Sequence, residues 1–216
     1  MDGTAGARQV ITFDPPIQHP FRISGWSRAQ DADVQQDYNL YLDVHYADGT
    51  PLWGQIAYFR PGTHDWEYAE HVFDAAKPVR SISVYAMFRK ATGTVWFDDL
   101  KLELLPLEFK GLRVLGGLYG PRSVAVAGGL SLPGSWEARL ESPAGVLASA
   151  PGQRPPIRLD WAPAGAMPDG KAAAQPGGDG PVTLVLKATD SATGQATEQR
   201  HSVSTSPDAP ARDYAV

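Results

Sequence analysis

The feature that most constrains the fold of this chain is strict alternation of side-chain type over residues 38–46. One face of this run holds only apolar and tyrosine side chains, namely Tyr38, Leu40, Leu42, Val44 and Tyr46. The opposite face holds Asn39, Tyr41, Asp43 and His45. Because successive side chains of a strand point to opposite faces, the pattern predicts a β-strand with one face in a core.

Similar runs separated by turn residues recur along the chain, whereas helical periodicity is nearly absent. The 22 glycines and 19 prolines cluster between the apolar runs, as in turn-rich all-β proteins. A length of 216 residues suits two domains, and the composition changes at Pro106, beyond which aromatic residues become sparse. We therefore predict an all-β chain of two β-sandwich domains in tandem, residues 1–106 and 107–206, with a linker or tail over 207–216.

The first domain is predicted to contain seven or eight strands, with a polar loop from residue 29 through Asp37. These strands cover residues 10–13, 21–28, 38–46, 53–59, 66–73, 79–89 and 94–104. The second domain is predicted to contain seven strands and a long mobile loop over residues 162–180. Its strands cover residues 112–115, 123–126, 136–141, 146–149, 157–161, 182–188 and 196–203. Its expected core residues are Trp136, Leu140, Trp161, Leu184 and Leu186.

Charge and composition exclude several classes of function. A net charge of -5 argues against nucleic acid, which requires a strongly positive face. The absence of cysteine removes disulfide scaffolds, thiolate metal sites and cysteine nucleophiles. No apolar run approaches the 18 or so residues of a membrane helix, so we expect no membrane insertion.

The outward faces of three predicted strands combine aromatic rings with hydrogen-bonding groups. The candidate binding residues on these faces are Arg22, Trp26, Asn39, Tyr41, Asp43, His45, Tyr85 and Arg89. A pyranose offers an apolar C–H face to an aromatic ring and a rim of hydroxyls to planar polar side chains. The pattern therefore favours a sugar ligand. The other tryptophans of this domain, Trp53, Trp66 and Trp96, are expected to pack in the core or at its rim.

Four segments of the first domain carry a family resemblance. They are Phe21-Arg22-Ile23-Ser24-Gly25-Trp26, residues 37–50, Gly62-Thr63-His64-Asp65-Trp66, and Gly93-Thr94-Val95-Trp96-Phe97-Asp98-Asp99-Leu100. Residues 8–105 thereby resemble the jelly-roll carbohydrate-binding modules of bacterial polysaccharide-degrading enzymes. The resemblance implies non-catalytic binding of a polysaccharide or oligosaccharide, within a larger secreted or cell-surface bacterial protein whose catalytic part is a glycoside hydrolase or polysaccharide lyase.

The same resemblance implies a structural calcium ion held by a carboxylate of the closing strand. Asp99 is the favoured ligand, and Asp98 is the alternative if the strand bends there. A carboxylate that caps loop amides is an equally good interpretation of this pair, because calcium requires six to eight oxygens. The second domain is similar to the immunoglobulin-like domains of bacterial extracellular proteins, although Gly180-Pro181-Val182 stands where those domains carry Gly-x-Tyr.

Two other functions stay open on these residues. The chain is alternatively a structural or adhesive tandem sandwich without affinity for glycans. It is also compatible with a small lyase or hydrolase that uses Tyr41, His45, Tyr85 and Arg89, although no pair of carboxylates with divided roles is apparent. We expect an accessory module rather than an enzyme, acting as a monomer beside neighbouring modules of its parent protein.

Overall fold

Two compact β-structured units make up the chain, Met1–Leu105 and Pro106–Val216. The computed structural model describes residues 3–116, 118, 123–162, 182–203 and 212–215. All regular elements in these ranges are β-strands, which confirms the prediction of an all-β chain with two β domains. Within the same ranges, no helix is long and apolar enough to cross a membrane.

The first unit is built around two unusually long strands of 27 and 26 residues. Its five antiparallel strands are β1 (Gly3–Ile17), β2 (Pro20–Tyr46), β3 (Pro51–Tyr58), β4 (Gly62–Asp74) and β5 (Val79–Leu104). The first part of β2 pairs with β4 and with the end of β5. The last part of β2 pairs with β3 and with the start of β5, and β1 pairs with that same start. Each long strand therefore runs through two layers. We call the layer of β1, β3, the last part of β2 and the start of β5 the first layer, and the layer of β4, the first part of β2 and the end of β5 the second layer.

The bend between the layers lies where the backbone leaves ordinary strand geometry. Asp31 has φ of 53°, Lys90 of 50° and Gly93 of 96°. The register between β2 and β5 shifts between Gln30 and Asp33, where one extra residue of β2 forms a bulge. The predicted polar loop over residues 29–37 is therefore wrong, because this segment continues the strand and pairs across the bend. Seven predicted strands merge into five for the same reason.

A single core lies between the two layers. Its most deeply buried side chains are Phe21, Ile23, Leu40, Leu42, Val44, Val79 and Ile82, each at most 1% exposed. Burying one such side chain stabilises the fold by about 1.5–3 kcal/mol before the cost of ordering. Tyr38 joins the layers, since its hydroxyl lies 2.5 Å from Ser27 Oγ and its ring contacts Phe88 and Phe97. The outer faces of the layers consequently point away from each other.

The second unit contains two four-stranded antiparallel sheets. Its strands are β6 (Phe109–Gly116), β7 (Val124–Leu130), β8 (Gly134–Ser142), β9 (Gly145–Gly152), β10 (Ile157–Trp161), β11 (Val182–Asp190), β12 (Ala196–Val203) and β13 (Arg212–Ala215). One sheet has the order β10-β7-β6-β13 and the other β12-β11-β8-β9. The five predicted core residues of this unit are all buried. The predicted loop over residues 162–180 lies, apart from Ala162, outside the described residues.

One strand of the second unit lies in a segment that we expected to be a linker. Residues 207–216 carry few side chains to bury, yet Arg212–Ala215 pairs antiparallel with Arg113–Gly116 of β6. An open sheet edge offers unpaired backbone groups to any extended segment that reaches it. Backbone pairing, which needs no apolar side chain, therefore adds a strand that the composition did not indicate.

Candidate functional site

The outer face of the first layer carries a cluster that we call the tyrosine face, defined by Arg8, Tyr41, Asp43, His45, Trp53 and Tyr85. The strand register sets Tyr41 and Arg8 on either side of Tyr85. The two tyrosine rings meet edge to face at 6.0 Å between centroids, and the Arg8 guanidinium lies 5.4 Å from the Tyr85 centroid. Arg8 also donates a hydrogen bond of 3.0 Å to Ser83 Oγ. Three strands thus contribute to one row of rings and polar groups.

The tyrosine face is polarised by Asp43. Asp43 lies two residues from Tyr41 on the same face of β2, so its carboxylate is close to the Tyr41 side chain. Burial, followed by the negative charge of Asp43, raises the pKa of Tyr41 above its ordinary value. Tyr41 is therefore a neutral phenol near the Asp43 carboxylate, and these are a donor and an acceptor that a ligand hydroxyl can use.

His45 and Trp53 extend this surface along the sheet. Their rings meet edge to face at 5.4 Å between centroids, and Trp53 is 52% exposed. The expectation that Trp53 packs in the core or at its rim is therefore wrong. The β2–β3 register shifts between Leu42 and Val44, which leaves extra residues of β3 opposite Asp43. A bulge of this kind re-aims side chains, and here the indole lies beside the histidine on the outer face.

Two predicted binding residues share the tyrosine face but are occupied or covered. Arg89 donates from Nε to Asp37 Oδ2 at 2.6 Å, so its charge is already paired. Asn39 is 0% exposed, and its Oδ1 has no hydrogen-bond partner. Its side-chain amide contacts Asp37 at 3.4 Å. Neither residue offers a ready contact to a ligand.

The outer face of the second layer carries a different cluster, the tryptophan face, defined by Trp26, Arg28, Trp66, Tyr68 and Trp96. The four rings of this cluster are between 37% and 45% exposed. Trp26 lies opposite Tyr68, with 5.4 Å between ring centroids. The Arg28 guanidinium lies between two indoles, 4.4 Å from the Trp96 centroid and 5.6 Å from the Trp66 centroid. The expected packing of Trp66 and Trp96 in the core or at its rim is wrong.

Most other charged groups of the second layer's outer face are paired. Arg22 donates to Glu103 at 3.0 Å, and this carboxylate raises the pKa of Arg22. Lys101 donates to Asp99 at 2.8 Å, and its pKa is raised by that carboxylate. The predicted contact of Arg22 with a ligand therefore requires breaking its pair with Glu103.

The predicted binding surface is thus divided between two faces. Tyr41, Asp43, His45 and Tyr85 lie together, but Arg22 and Trp26 lie on the outer face of the other layer. The reason is the bend of β2 near Asp31, which carries the two parts of this strand into different layers. We therefore treat the two faces as separate candidate sites.

The two candidate calcium ligands lie on a bulge of β5. Asp99 has φ of 49°, and the residues between Asp98 and Lys101 face only Gly25 in β2. Strand parity is lost here, because Asp98 and Lys101 both lie on the outer face. The Asp99 carboxylate pairs with Lys101, and the Asp98 carboxylate accepts the Asp99 backbone N–H at 2.8 Å. In the described part of the chain, no three His, Cys, Asp or Glu side chains group to hold a metal.

Sequence reasoning missed residues on both faces. Arg8 lies near the start of the chain, where nothing local indicates that β1 pairs with β5. The sequence does indicate that Trp66 and Tyr68 face outward, since they alternate in β4 with the partly or fully buried Ala69, His71 and Phe73. The expectation of a packed Trp66 followed instead from the general tendency of tryptophan to be buried.

The fold and the geometry define a two-domain all-β chain. Its first unit carries two exposed aromatic faces. No family model matches the chain. A segment is similar to the "tRNA nuclease WapA" of Bacillus subtilis (strain 168), at 39% identity over 93 residues. The "tRNA3(Ser)-specific nuclease WapA" of Bacillus spizizenii matches at the same identity and length. The match covers 41% of this chain and 4% of each relative. A 93-residue segment of the chain is therefore similar to a small part of much longer bacterial proteins.

Solved structures give only distant likenesses. The β-glucuronidase of Ruminococcus gnavus aligns with 94% of this chain and 35% of its own, at 13% identity and a TM-score of 0.29. The β-glucuronidase of Parabacteroides merdae aligns with 94% of this chain and 28% of its own, at 9% identity and a TM-score of 0.30. At scores this low, the likeness establishes neither fold nor function for this chain.

Proposed function

We propose that the first unit is a non-catalytic carbohydrate-binding module and that the second unit is an immunoglobulin-like spacer, within a larger secreted or cell-surface bacterial protein. The observation that carries this proposal is the tyrosine face, where the exposed indole of Trp53 and the pair Tyr41–Tyr85 adjoin Asp43 and Arg8. Rings that can stack on a sugar and charged groups that can bind its hydroxyls occur together on the outer face of one layer.

A binding role accounts for this face better than a structural role does. Outward faces that only meet solvent are normally small and charged, and aromatic clusters on them mark interaction sites. The contacts of Tyr85 with Tyr41 and Arg8 hold these side chains in place before a ligand arrives, which lowers the entropic cost of binding. A purely adhesive or structural tandem would not require charged groups beside these rings.

The partial match to long bacterial proteins supports a place among other modules. Because the match covers 4% of each relative, the nuclease activity in their names belongs to the whole proteins. The acidic net charge of -5 gives this chain no general attraction for tRNA. We therefore propose neighbouring modules of a parent protein, and a glycan, as its partners.

Calcium at Asp99, with Asp98 as the alternative, is a further proposal that rests on the family resemblance. The carboxylate of Asp99 would exchange Lys101 for the ion, and backbone carbonyls would have to complete the oxygen ligands. The ion would add stability to the bulge of β5 and takes no part in sugar binding as proposed here.

The proposed function is tested by affinity electrophoresis of the whole chain through gels that contain neutral plant, algal, bacterial or host polysaccharides. We expect retardation by at least one of them, weakened about tenfold by Tyr85→Ala or Tyr41→Ala, because each change removes a ring contact. Trp26→Ala is the matched control, since it removes an exposed ring from the opposite face. Thermal melting of each variant verifies that it is folded.

Several outcomes would contradict the proposal. Absence of retardation by every polysaccharide would favour the structural or adhesive alternative. Equal losses for Tyr85→Ala and Trp26→Ala would remove the assignment to the tyrosine face. Release of reducing ends or unsaturated products from the same polysaccharides would show an enzyme, and Tyr41, His45 and Tyr85 would then be the residues to change first.

A further inference from the structure

The tryptophan face holds the guanidinium of Arg28 beside two indole rings. Arg28 lies 4.4 Å from the centroid of Trp96 and 5.6 Å from that of Trp66. A cation–π contact of this kind restrains the guanidinium while leaving its N–H donors available to a ligand. The Arg28 side chain has no hydrogen-bond or ion-pair partner among the described residues. A positioned, unused set of donors is therefore exposed on this face.

The charges around Arg28 favour one isolated anionic group as its ligand. The other cations of this face are used, since Arg22 pairs with Glu103 and Lys101 with Asp99. Asp98 adds a negative charge opposite Trp26 in the register. A continuous polyanion such as nucleic acid would be repelled by these carboxylates, whereas a single acid at Arg28 would be attracted. Arginine suits carboxylates and sulfates because two parallel N–H groups bind two oxygens.

An exposed ring lies at the right spacing beside this cation. Trp26 and Arg28 are two residues apart on one strand, so about 7 Å separates their positions along it. Trp26 and its neighbour Tyr68 are 39% and 45% exposed. The Tyr68 hydroxyl is held by Glu70 at 2.9 Å, which fixes that ring. A sugar ring stacked on Trp26 would place a substituent of the same or the next residue within reach of Arg28.

We propose that the tryptophan face binds a glycan that carries an isolated acidic group, with Arg28 pairing the acid and Trp26 stacking on the sugar ring. The acid is a uronate carboxylate or a sulfate ester, which share the geometry that Arg28 recognises. This inference goes beyond the proposed function, because the site lies on the opposite face from the tyrosine face and takes a charged ligand. The chain then has two glycan sites of different chemistry.

The test measures binding of the whole chain by isothermal titration calorimetry in low salt. One arm compares a neutral oligosaccharide that carries a single uronate residue with its methyl ester, and the other compares a galactan oligosaccharide that carries a single sulfate with its desulfated form. We expect the acidic form in at least one arm to bind, and its neutral partner and the Arg28→Gln variant to bind about tenfold more weakly or worse. Arg22→Gln is the matched control, because it removes the same charge from the same face but one already paired with Glu103.

Further variants separate this site from its alternatives. Arg28→Lys keeps the charge without the planar pair of N–H donors. We therefore expect its affinity for the acidic oligosaccharide to lie between those of the wild type and Arg28→Gln. Trp26→Ala should weaken binding without changing the charge, which keeps the test valid if Arg28→Gln unfolds. Tyr85→Ala should leave acidic-glycan binding unchanged, so failure of the tyrosine face and failure of this site are distinguishable.

The proposal is overturned if neither acidic ligand binds, if acid and neutral forms bind alike, or if Arg28→Gln and Arg22→Gln have equal effects. It is also overturned if single-stranded DNA or anionic phospholipid vesicles bind through Arg28 more tightly than the acidic oligosaccharides do. Selective loss with Arg28→Gln in one arm alone supports the site and identifies its acid as a carboxylate or a sulfate.

Discussion

The change of Gly93 to alanine tests the bend that carries both long strands from one layer to the other. Gly93 has φ of 96°, and a Cβ built on it would lie 2.2 Å from the Asp31 backbone oxygen and 2.5 Å from the Asp31 carbonyl carbon. Those atoms are backbone and cannot turn aside as a flexible side chain would. Asp31 itself has φ of 53°, a left-handed conformation with a narrow allowed range. Its backbone therefore has little room to move away from an added Cβ.

The loss in the free energy of unfolding expected for Gly93→Ala follows from a comparison with Gly49. Gly49 has φ of 85° but no atom within 4 Å of an added Cβ, so Gly49→Ala costs only the left-handed backbone, about 1–2 kcal/mol. Gly93→Ala incurs the same cost and must also displace the backbone of Asp31. We expect a total loss of about 3 kcal/mol or more in the free energy of unfolding. At about 4–8 °C per kcal/mol for a unit of this size, the two variants are readily distinguished.

Peptide-resolved hydrogen exchange during a urea titration is the appropriate assay, because it reports each unit of the chain separately. We expect Gly93→Ala to lower the unfolding midpoint of peptides from residues 3–105 far more than Gly49→Ala does. Peptides from the second unit act as the internal reference and should not change. Equal midpoints for the two glycine variants would refute the steric reasoning, and with it the close approach of β2 and β5 at this bend.

Two other predictions concern stability. Tyr38→Phe should cost about 1 kcal/mol at neutral pH, because it removes the buried hydrogen bond to Ser27. Burial raises the pKa of Tyr38, so its stabilisation is complete below the ordinary tyrosine value of about 10 and is lost as pH rises through the raised pKa. The free energy of unfolding, measured in urea from neutral to strongly alkaline pH, should therefore fall less for Tyr38→Phe than for the wild type. Parallel curves for the two proteins would contradict this. Saturating calcium should raise the melting temperature above that in chelator, and Asp99→Ala should abolish the rise, because an ion bound only to the folded state stabilises it. Identical melting curves would rule the ion out.

Local alternation made much of the fold predictable. The core faces of residues 38–46 and 79–89 and the five core residues of the second unit follow from a period of two, which depends only on the geometry of each strand. The same rule found Tyr41, Asp43, His45 and Tyr85, which do lie together. Alternation along β4 also predicts that Trp66 and Tyr68 face outward. The usual burial of tryptophan predicts the opposite for Trp66 and is wrong here.

Local rules fail where the strand itself changes geometry. The positive φ of Asp99 breaks the alternation between Trp96 and Leu102, so parity could not decide between Asp98 and Asp99. In the same way, the bend at Asp31 made residues 29–37 look like a loop. A bulge depends on what the partner strand offers, and no pattern within one strand reports that.

The sequence by itself determined that this chain is all-β, where its cores lie and that Trp26, Tyr41, Asp43 and Tyr85 face outward. Only the tertiary structure decided that Trp26 and Tyr41, both outward on β2, belong to opposite faces, and that Arg8 and Arg28 complete two different clusters. The physical reason is the range of the interactions. Side-chain alternation is a local property of extended backbone, whereas neighbours across strands come from pairings between residues far apart in sequence, such as Arg8 with Tyr85 and Arg28 with Trp96.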